Sequence, residues 1–140
     1  MAIKREQGAY RMYCVLLKKT RDFNTQTLFR QIGIEELKHE ALLEEFLKTQ
    51  NFETAKKNVA LQHINNEFNI VDHLTSASES FEITEGFQRA IEKEHKAAEF
   101  YEKHFKQAES EDIKDIFYYL AEEEKKHERL LRMEYQKFIG

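Results

Sequence analysis

The chain has 140 residues, a length that suits one domain with its own hydrophobic core. It contains four glycines, no proline, 34% charged residues and a formal net charge of −4 without a basic patch. This composition favours long amphipathic helices and argues against a nucleic-acid-binding protein. The single cysteine, Cys14, excludes both an internal disulfide and a four-cysteine metal site.

No apolar run approaches the roughly 20 residues that a membrane-spanning helix needs. Charged residues begin at Lys4 and Arg5, where a signal peptide would become apolar. We therefore expect a cytoplasmic protein without a membrane partner, built as a single domain over residues 1–140.

Apolar residues at spacings of three and four predict four long helices, which we call A to D. Their expected ranges are residues 2–19, 27–48, 84–108 and 113–138, with polar turns at 20–26 and 109–112 and with Thr84 as the N-cap of helix C. The predicted inward residues are Glu6, Ala9, Tyr13 and Leu17 on A, Phe29, Ile32, Glu36, His39, Leu43 and Phe46 on B, Phe87, Ile91, Glu94, Ala98, Tyr101 and Phe105 on C, and Phe117, Leu120, Glu124, His127 and Leu131 on D.

About 35 residues connect helices B and C, over positions 49–83, and they differ in character from the long helices. Residues 53–68 are weakly amphipathic, which predicts one or two short helices, and "TSASES" is typical of a loop. A connection of this length lets helix C run parallel to helix B, as in four-helix bundles with one long crossover.

The chain contains an internal repeat with an offset of 88 residues. Thirteen of the 44 positions that pair 3–46 with 91–134 are identical, and "EELKHEALL" falls on "EEKKHERLL". Each copy is one predicted helical hairpin, A with B and C with D. The fold class we predict is therefore all-α, a four-helix bundle of two repeated hairpins joined by a long crossover.

Each hairpin carries one Glu on its first helix and a Glu-x-x-His motif on its second. The three- or four-residue spacing puts Glu and His on one helix face, among the apolar inward residues. The first Glu precedes the motif by 30 residues in both copies, and the midpoint of that separation coincides with the predicted turn. The six side chains therefore meet at one level of the core: Glu6, Glu36, His39, Glu94, Glu124 and His127.

Buried charges are costly unless something neutralises them. Four carboxylates carry about −4, which two divalent metal ions would balance, and oxygen and imidazole ligands suit iron or manganese better than structural zinc. This ligand pattern is the one found in carboxylate-bridged di-iron bundles. The alternative interpretation is a repeat whose polar residues face solvent or pair with each other.

At these residues the chain resembles the rubrerythrin-type branch of the ferritin-like superfamily. The segment "AIEKEHKAAEFYEKHFKQAESEDIKDIFYYLAEEEKKHERLL" is similar to the family pattern, and the first hairpin matches more loosely through "AIKREQGAYRMY" and "IEELKHEALL". The resemblance implies that the six residues above are ligands of two iron ions, with manganese as an alternative. It also implies peroxide reduction, while relatives oxidise ferrous iron.

Two departures from the family pattern affect the expected chemistry. Ile91 stands where rubrerythrins often carry an additional carboxylate, and Glu92 lies on the other side of the helix from Glu94. No rubredoxin module with paired CxxC motifs is present in this sequence. Electrons would therefore come from an external donor, either a rubredoxin-like protein or a flavoprotein.

Several other residues have two interpretations. Tyr13 and Tyr101 are expected either to hydrogen-bond a ligand carboxylate or, as catalytic residues, to deliver a proton or an electron. Gly33 indicates close helix packing or access for a small oxidant. Cys14, His95 and His104 are expected on flanks or at the surface, and His63 and His73 in the crossover.

The favoured function is a di-iron carboxylate oxidoreductase that reduces hydrogen peroxide. A ferroxidase that handles iron, a metal- or partner-binding bundle without turnover, and a di-manganese catalase remain alternatives. The expected partners are the electron donor, peroxide or O2, and a second copy of the chain in a homodimer.

Overall fold

The computed structural model describes residues 2–62 and 82–139, and these residues form α-helices and no strand. The helices are α1 (Ala2–Lys19), α2 (Phe23–Thr49), α3 (Phe52–Leu61), α4 (Ile83–Gln107) and α5 (Glu111–Ile139). The predicted helices A, B, C and D correspond to α1, α2, α4 and α5. The all-α, ferritin-like prediction is confirmed.

The long helices form two hairpins, α1 with α2 and α4 with α5, which meet through α1 against α4 and α2 against α5. Tyr13 contacts Glu94 and Tyr101 contacts Glu6, so α1 and α4 run in opposite directions. Because α1 is antiparallel to both α2 and α4, these two helices run parallel to each other. The long crossover predicts this topology.

The turn between α1 and α2 is shorter than predicted. Its last residue, Asp22, accepts hydrogen bonds from the Thr25 backbone N–H and hydroxyl, both at 2.9 Å. This N-cap satisfies a free backbone donor, so the helix begins at Phe23 rather than after Gln26.

Helices α4 and α5 also begin earlier than the sequence predicts. Glu82, not Thr84, is the N-cap of α4, and the earlier start places Ile83 against the core. Ser110 accepts a hydrogen bond from the Ile113 backbone N–H at 3.4 Å, and α5 begins at Glu111. The turn therefore ends at Ser110, two residues earlier than the predicted range of 109–112.

Helix α3 confirms that the first part of the crossover is helical. Its Phe52 backbone N–H donates to Asp112 Oδ1 at 3.0 Å, and the buried Phe52 ring lies 5.8 Å from that of Tyr119. These contacts hold α3 against α5, and α3 also packs on α2. The predicted helical residues 63–68, the "TSASES" loop, His63 and His73 lie outside the described residues.

The hydrophobic core consists of two clusters on either side of a polar layer. The first surrounds Tyr13, Phe29 and Phe87, and the second surrounds Phe46 and Tyr101. Along each of α2, α4 and α5, the residues between the clusters are the predicted Glu and His ligands. The bundle therefore encloses the polar layer with apolar side chains above and below.

Burial follows the predicted inward pattern with four exceptions. Phe105 and Phe117 are half-buried rather than inward. Cys14 is buried, because α1 is enclosed on all sides from Tyr13 to Leu17. His104 is half-buried and its Nδ1 bonds the Phe100 carbonyl at 2.8 Å, whereas its expected position was solvated.

Within the described residues, no helix is both long enough and apolar enough to cross a membrane.

Gly33 lies in the middle of α2, where it packs against α1. A Cβ added there would lie 3.5 Å from Tyr13 Cβ and 4.0 Å from Tyr10 Cδ1, which is ordinary van der Waals contact. The repeat places Ala121 at the corresponding position of α5. Close packing therefore does not require glycine at this position.

We expect Gly33→Ala to raise the free energy of unfolding by about 1 kcal/mol, because alanine restricts the unfolded chain and favours the helix. Urea denaturation of the metal-free protein measures the change. The control is Ala121→Gly, which we expect to lower stability by at least about 1 kcal/mol. A destabilised Gly33→Ala protein would show that α1 and α2 cannot accommodate the methyl group.

Candidate metal centre

The six predicted ligands lie together in the polar layer, and each is at most 2% exposed. Glu6 and Glu94 come from α1 and α4, and the two Glu-x-x-His pairs come from α2 and α5. Because residues three apart share a helix face, each pair presents its carboxylate and imidazole to the same point. The tertiary structure thus brings together all six residues that the repeat indicates.

The six residues form two overlapping groups. One contains Glu6 and His39, the other contains Glu94 and His127, and both groups include Glu36 and Glu124. Within each group, one ligand atom per residue lies within 4.8 Å of all the others. Such a cluster can hold metal ions.

Contacts in the cluster occur in pairs that the 88-residue repeat relates. His39 Nδ1 lies 3.0 Å from Glu124, and His127 Nδ1 lies 2.8 Å from Glu36. Each Nδ1 also lies 3.6 Å from the Glu on the first helix of its own hairpin. The two imidazole rings stack with centroids 5.7 Å apart, so the pseudo-two-fold axis passes between them.

Each hairpin contributes a tyrosine that contacts the other hairpin. The Tyr13 hydroxyl donates to Glu94 Oε1 and the Tyr101 hydroxyl donates to Glu6 Oε1, both at 2.6 Å. Burial, followed by the nearby carboxylates, raises the pKa of both phenols. Both hydroxyls therefore stay protonated and act as hydrogen-bond donors to the cluster.

The sequence analysis missed two further carboxylates, Glu35 and Glu123. His127 Nε2 lies 3.4 Å from Glu35, and His39 Nε2 lies 3.5 Å from Glu123. These carboxylates are about one-fifth exposed, with 18% and 24% of their side chains accessible. The repeat could have indicated these two residues, because both copies read Glu-Glu-x-x-His and the first glutamate is identical in the two copies as well as the second.

Repulsion among the buried carboxylates changes their proton affinities. Burial, followed by the charges of neighbouring carboxylates, raises the pKa of Glu36 and Glu94 well above the usual range. Burial also acts to raise the pKa of Glu124, but hydrogen bonds from Glu94 and the two histidines lower it overall. Without cations, the cluster therefore retains protons on some carboxylates while Glu124 stays ionised.

The two histidines respond in the opposite direction to an isolated buried imidazole. Burial acts to lower the pKa of His39 and His127, but the surrounding carboxylates outweigh it and raise both values. The imidazoles of the metal-free protein thus carry positive charge that partly balances the carboxylates. A bound metal ion would take the place of these protons.

Several buried polar atoms of the cluster have no hydrogen-bond partner among the described residues. They include Glu6 Oε2, Glu36 Oε1, Glu94 Oε2 and His127 Nδ1. The Glu36 and His127 atoms lie within 2.8 Å but are not aligned for a hydrogen bond. Buried polar atoms without hydrogen-bond partners are unfavourable in a protein, whereas carboxylates and deprotonated imidazoles are good ligands for a cation, so these residues fit a metal site.

Two other residues are placed as their position on the helix predicts. Ile91 packs in the first apolar cluster one turn before Glu94. Glu92 is exposed and pairs with Lys96 at 2.9 Å, so its carboxylate lies outside the polar layer. The additional carboxylate position of the family is therefore apolar in this chain.

The fold and the buried cluster define a ferritin-like helical bundle with a carboxylate and histidine centre. The rubrerythrin family description matches residues 1–135, so the chain belongs to the rubrerythrin family. A hypothetical protein from Pyrococcus furiosus has a similar solved structure, with 26% sequence identity and a TM-score of 0.70 over 97% of this chain and 84% of that chain. No curated protein matches the chain.

We expect the metal-free protein to lose stability as pH rises from about 6 to about 9. Glu36, Glu94 and both histidines have raised pKa values in the fold, so the folded state binds more protons than the unfolded state in this window. Stability then falls with pH. Thermal unfolding across this range in a chelator measures the effect.

The lowered pKa of Glu124 acts only below the usual glutamate range, so it does not change the sign in this window. Adding a divalent metal ion should remove most of the pH dependence, because it replaces the bound protons. Stability that increases with pH in the metal-free protein would contradict the arrangement of charges described above.

We expect Tyr13→Phe to lower the free energy of unfolding by about 1–3 kcal/mol, because Glu94 would lose a buried hydrogen-bond donor. Tyr101→Phe should cost a similar amount, since the repeat gives it the same contact with Glu6. Tyr118→Phe is the matched control, because Tyr118 is 56% exposed and should change stability by less than about 0.5 kcal/mol. If all three variants are as stable as the wild-type protein, the two buried hydroxyls do not have this structural role.

Proposed function

We propose that this protein is a di-iron oxidoreductase that reduces hydrogen peroxide with electrons from an external donor. The observation that carries the proposal is the pair of overlapping groups in the buried layer, which share Glu36 and Glu124. Two divalent ions there would neutralise four carboxylates, and the shared residues would contact both ions. Oxygen and imidazole donors suit iron, and manganese is the alternative.

Two ferrous ions bound at this site would supply the two electrons that cleave the O–O bond of peroxide. The balanced reaction consumes one H2O2, two electrons and two protons and yields two water molecules. The protein contributes six ligands, a layer closed from solvent and fixed hydrogen bonds to the ligand carboxylates. A rubredoxin-like protein or a flavoprotein would then return two electrons.

Tyr13 and Tyr101 have a defined place in this proposal. Their hydroxyls hold Glu94 and Glu6 at 2.6 Å, which restricts the rotamers of one carboxylate in each group. They also bring two protons into direct contact with the cluster. Because the pKa values of both phenols are raised, a phenol that delivered its proton would need a replacement proton from a second donor.

The second candidate is a ferroxidase that oxidises ferrous iron for storage. The same ligands support it, because iron entering the two positions would be oxidised there by O2 or peroxide. The two functions differ in the fate of the metal: a peroxidase keeps a fixed pair of ions, whereas a ferroxidase releases oxidised iron. A homodimer is compatible with either function.

The test is metal analysis of the purified protein, its visible spectrum, and peroxide consumption with a chemical reductant and a small electron carrier. We expect two irons per chain, an absorption that bleaches on reduction and returns with peroxide, and catalytic turnover. Iron(III) accumulating beyond two per chain would instead support the ferroxidase. Bound metal without peroxide consumption would instead support a metal-binding bundle without catalytic activity.

We expect the double variant Glu36→Ala, Glu124→Ala to lose its metal and its peroxide consumption, because it lacks both shared residues. Glu92→Ala is the matched control, since this glutamate lies two residues from Glu94 but pairs with Lys96 at the surface. It should retain both metal ions. A double variant that still binds two ions would overturn the proposed ligand set.

A further inference from the structure

The outer edges of the two buried histidines face carboxylates of the opposite hairpin. Glu35 on α2 lies 3.4 Å from His127 on α5, and Glu123 on α5 lies 3.5 Å from His39 on α2. Each glutamate is four residues before the histidine of its own helix, where a local contact would be the simpler arrangement. The structure instead pairs each carboxylate across the interface between hairpins.

The inner and outer nitrogens of each ring have different surroundings. Both Nδ1 atoms face the inner carboxylates of the cluster, and both Nε2 atoms face an outer carboxylate. His127 Nε2 and Glu35 Oε2 are both buried and lie 3.4 Å apart without the alignment of a hydrogen bond, and neither has a hydrogen-bond partner among the described residues. An N–H group in that position requires an acceptor, and Glu35 is placed to provide one.

We propose that Glu35 and Glu123 are positioning residues that accept the outer Nε2–H of His127 and His39 and so orient each Nδ1 toward the metal ion that displaces its proton. This inference rests on the proposed function, because it assigns the carboxylates to the same metal centre. An imidazole binds metal through an unprotonated nitrogen, and the hydrogen bond of the other nitrogen selects the tautomer and the ring orientation.

The crossed arrangement has a consequence for assembly of the site. The histidine of one hairpin is prepared for metal only when the outer carboxylate of the other hairpin is in place. Glu94 and Glu6 likewise depend on the other hairpin, because Tyr13 donates to Glu94 and Tyr101 donates to Glu6. One hairpin alone therefore lacks both the acceptor and the donor that orient its own ligands.

The two outer contacts are not fully equivalent. The ring of His39 also meets the edge of Tyr119, with centroids 6.2 Å apart, and Tyr119 in turn packs on Phe52 of α3. The repeat partner of Tyr119 is Gln31, so His127 has no corresponding aromatic contact from that position. Glu35 is therefore the more informative residue to change.

The first measurement is iron(II) affinity under argon, by competition with a coloured chelator. We expect Glu35→Ala to weaken binding by about 10–100-fold. Glu35→Gln should lose less, because its amide oxygen can still accept the N–H. The control Glu122→Ala changes a neighbouring α5 carboxylate that contacts Lys125 at the surface, and it should bind iron as the wild type does. Unchanged affinity in Glu35→Ala overturns the proposal while leaving the proposed function intact.

The second measurement tests the crossing directly with proton–nitrogen NMR spectra of the histidine side chains, using zinc(II) as a diamagnetic probe. We expect Glu35→Ala to shift the Nε2 resonance of His127 and to leave that of His39 in place. Glu123→Ala should do the reverse. A shift confined to the histidine of the mutated helix would overturn the proposal.

The same spectra, recorded on metal-free protein, distinguish failure of the proposed function from failure of the proposed contacts between Glu35, Glu123 and the histidines. A wild-type protein that binds neither iron(II) nor zinc(II) contradicts the proposed function, and the crossed pattern of shifts still tests the contacts. If Glu35→Ala fails to fold, as judged by circular dichroism, Glu35→Leu provides the same comparison, because it also removes the acceptor and leaves a smaller cavity. Absence of the crossed shifts in that variant overturns the proposal.

Discussion

Repulsion among carboxylates buried in one layer of the bundle is the constraint on which this structure depends. Four glutamates and two histidines occupy the layer with at most 2% exposure, and apolar clusters seal it on both sides. Burying such charges is costly unless protons, hydrogen bonds or cations compensate. The metal-free protein compensates with raised proton affinities on Glu36, Glu94 and both histidines. Metal ions would do so more completely, so stability and the proposed function would depend on one set of residues.

Duplication of a hairpin provides both the buried glutamates and histidines and the contacts that hold them. Every principal contact of the cluster has a counterpart 88 residues away, and most contacts cross from one hairpin to the other. The symmetry is broken at a few positions, among them Tyr10 against Ala98 and Tyr119 against Gln31. These differences give the two halves of the site unequal surroundings, although both halves contain the same glutamates and histidine.

The predictions that succeeded depended on periodicity, and those that failed depended on detail at the ends and flanks of helices. The inward pattern located the six buried residues, because a buried helix face repeats every three or four residues. The starts of α2 and α4 were wrong by a few residues, since Asp22 caps α2 early and the partly buried Ile83 packs against the first apolar cluster at the start of α4. Cys14 was assigned to a flank of its helix and His104 to solvent, because a single inward stripe underestimates how much of a helix its neighbours can cover.

The sequence by itself determined the helical repeat, the all-α class and the identity of the residues that meet in the core. Helical spacing is a local property, and two copies at one offset place their side chains at the same depth. Only the tertiary structure decided which partner each group has: Tyr13 with Glu94, and Glu35 with His127 rather than with the histidine on its own helix. Such pairings depend on the rotation and separation of the packed helices. Many side-chain contacts together determine both quantities, so a local sequence pattern does not predict them.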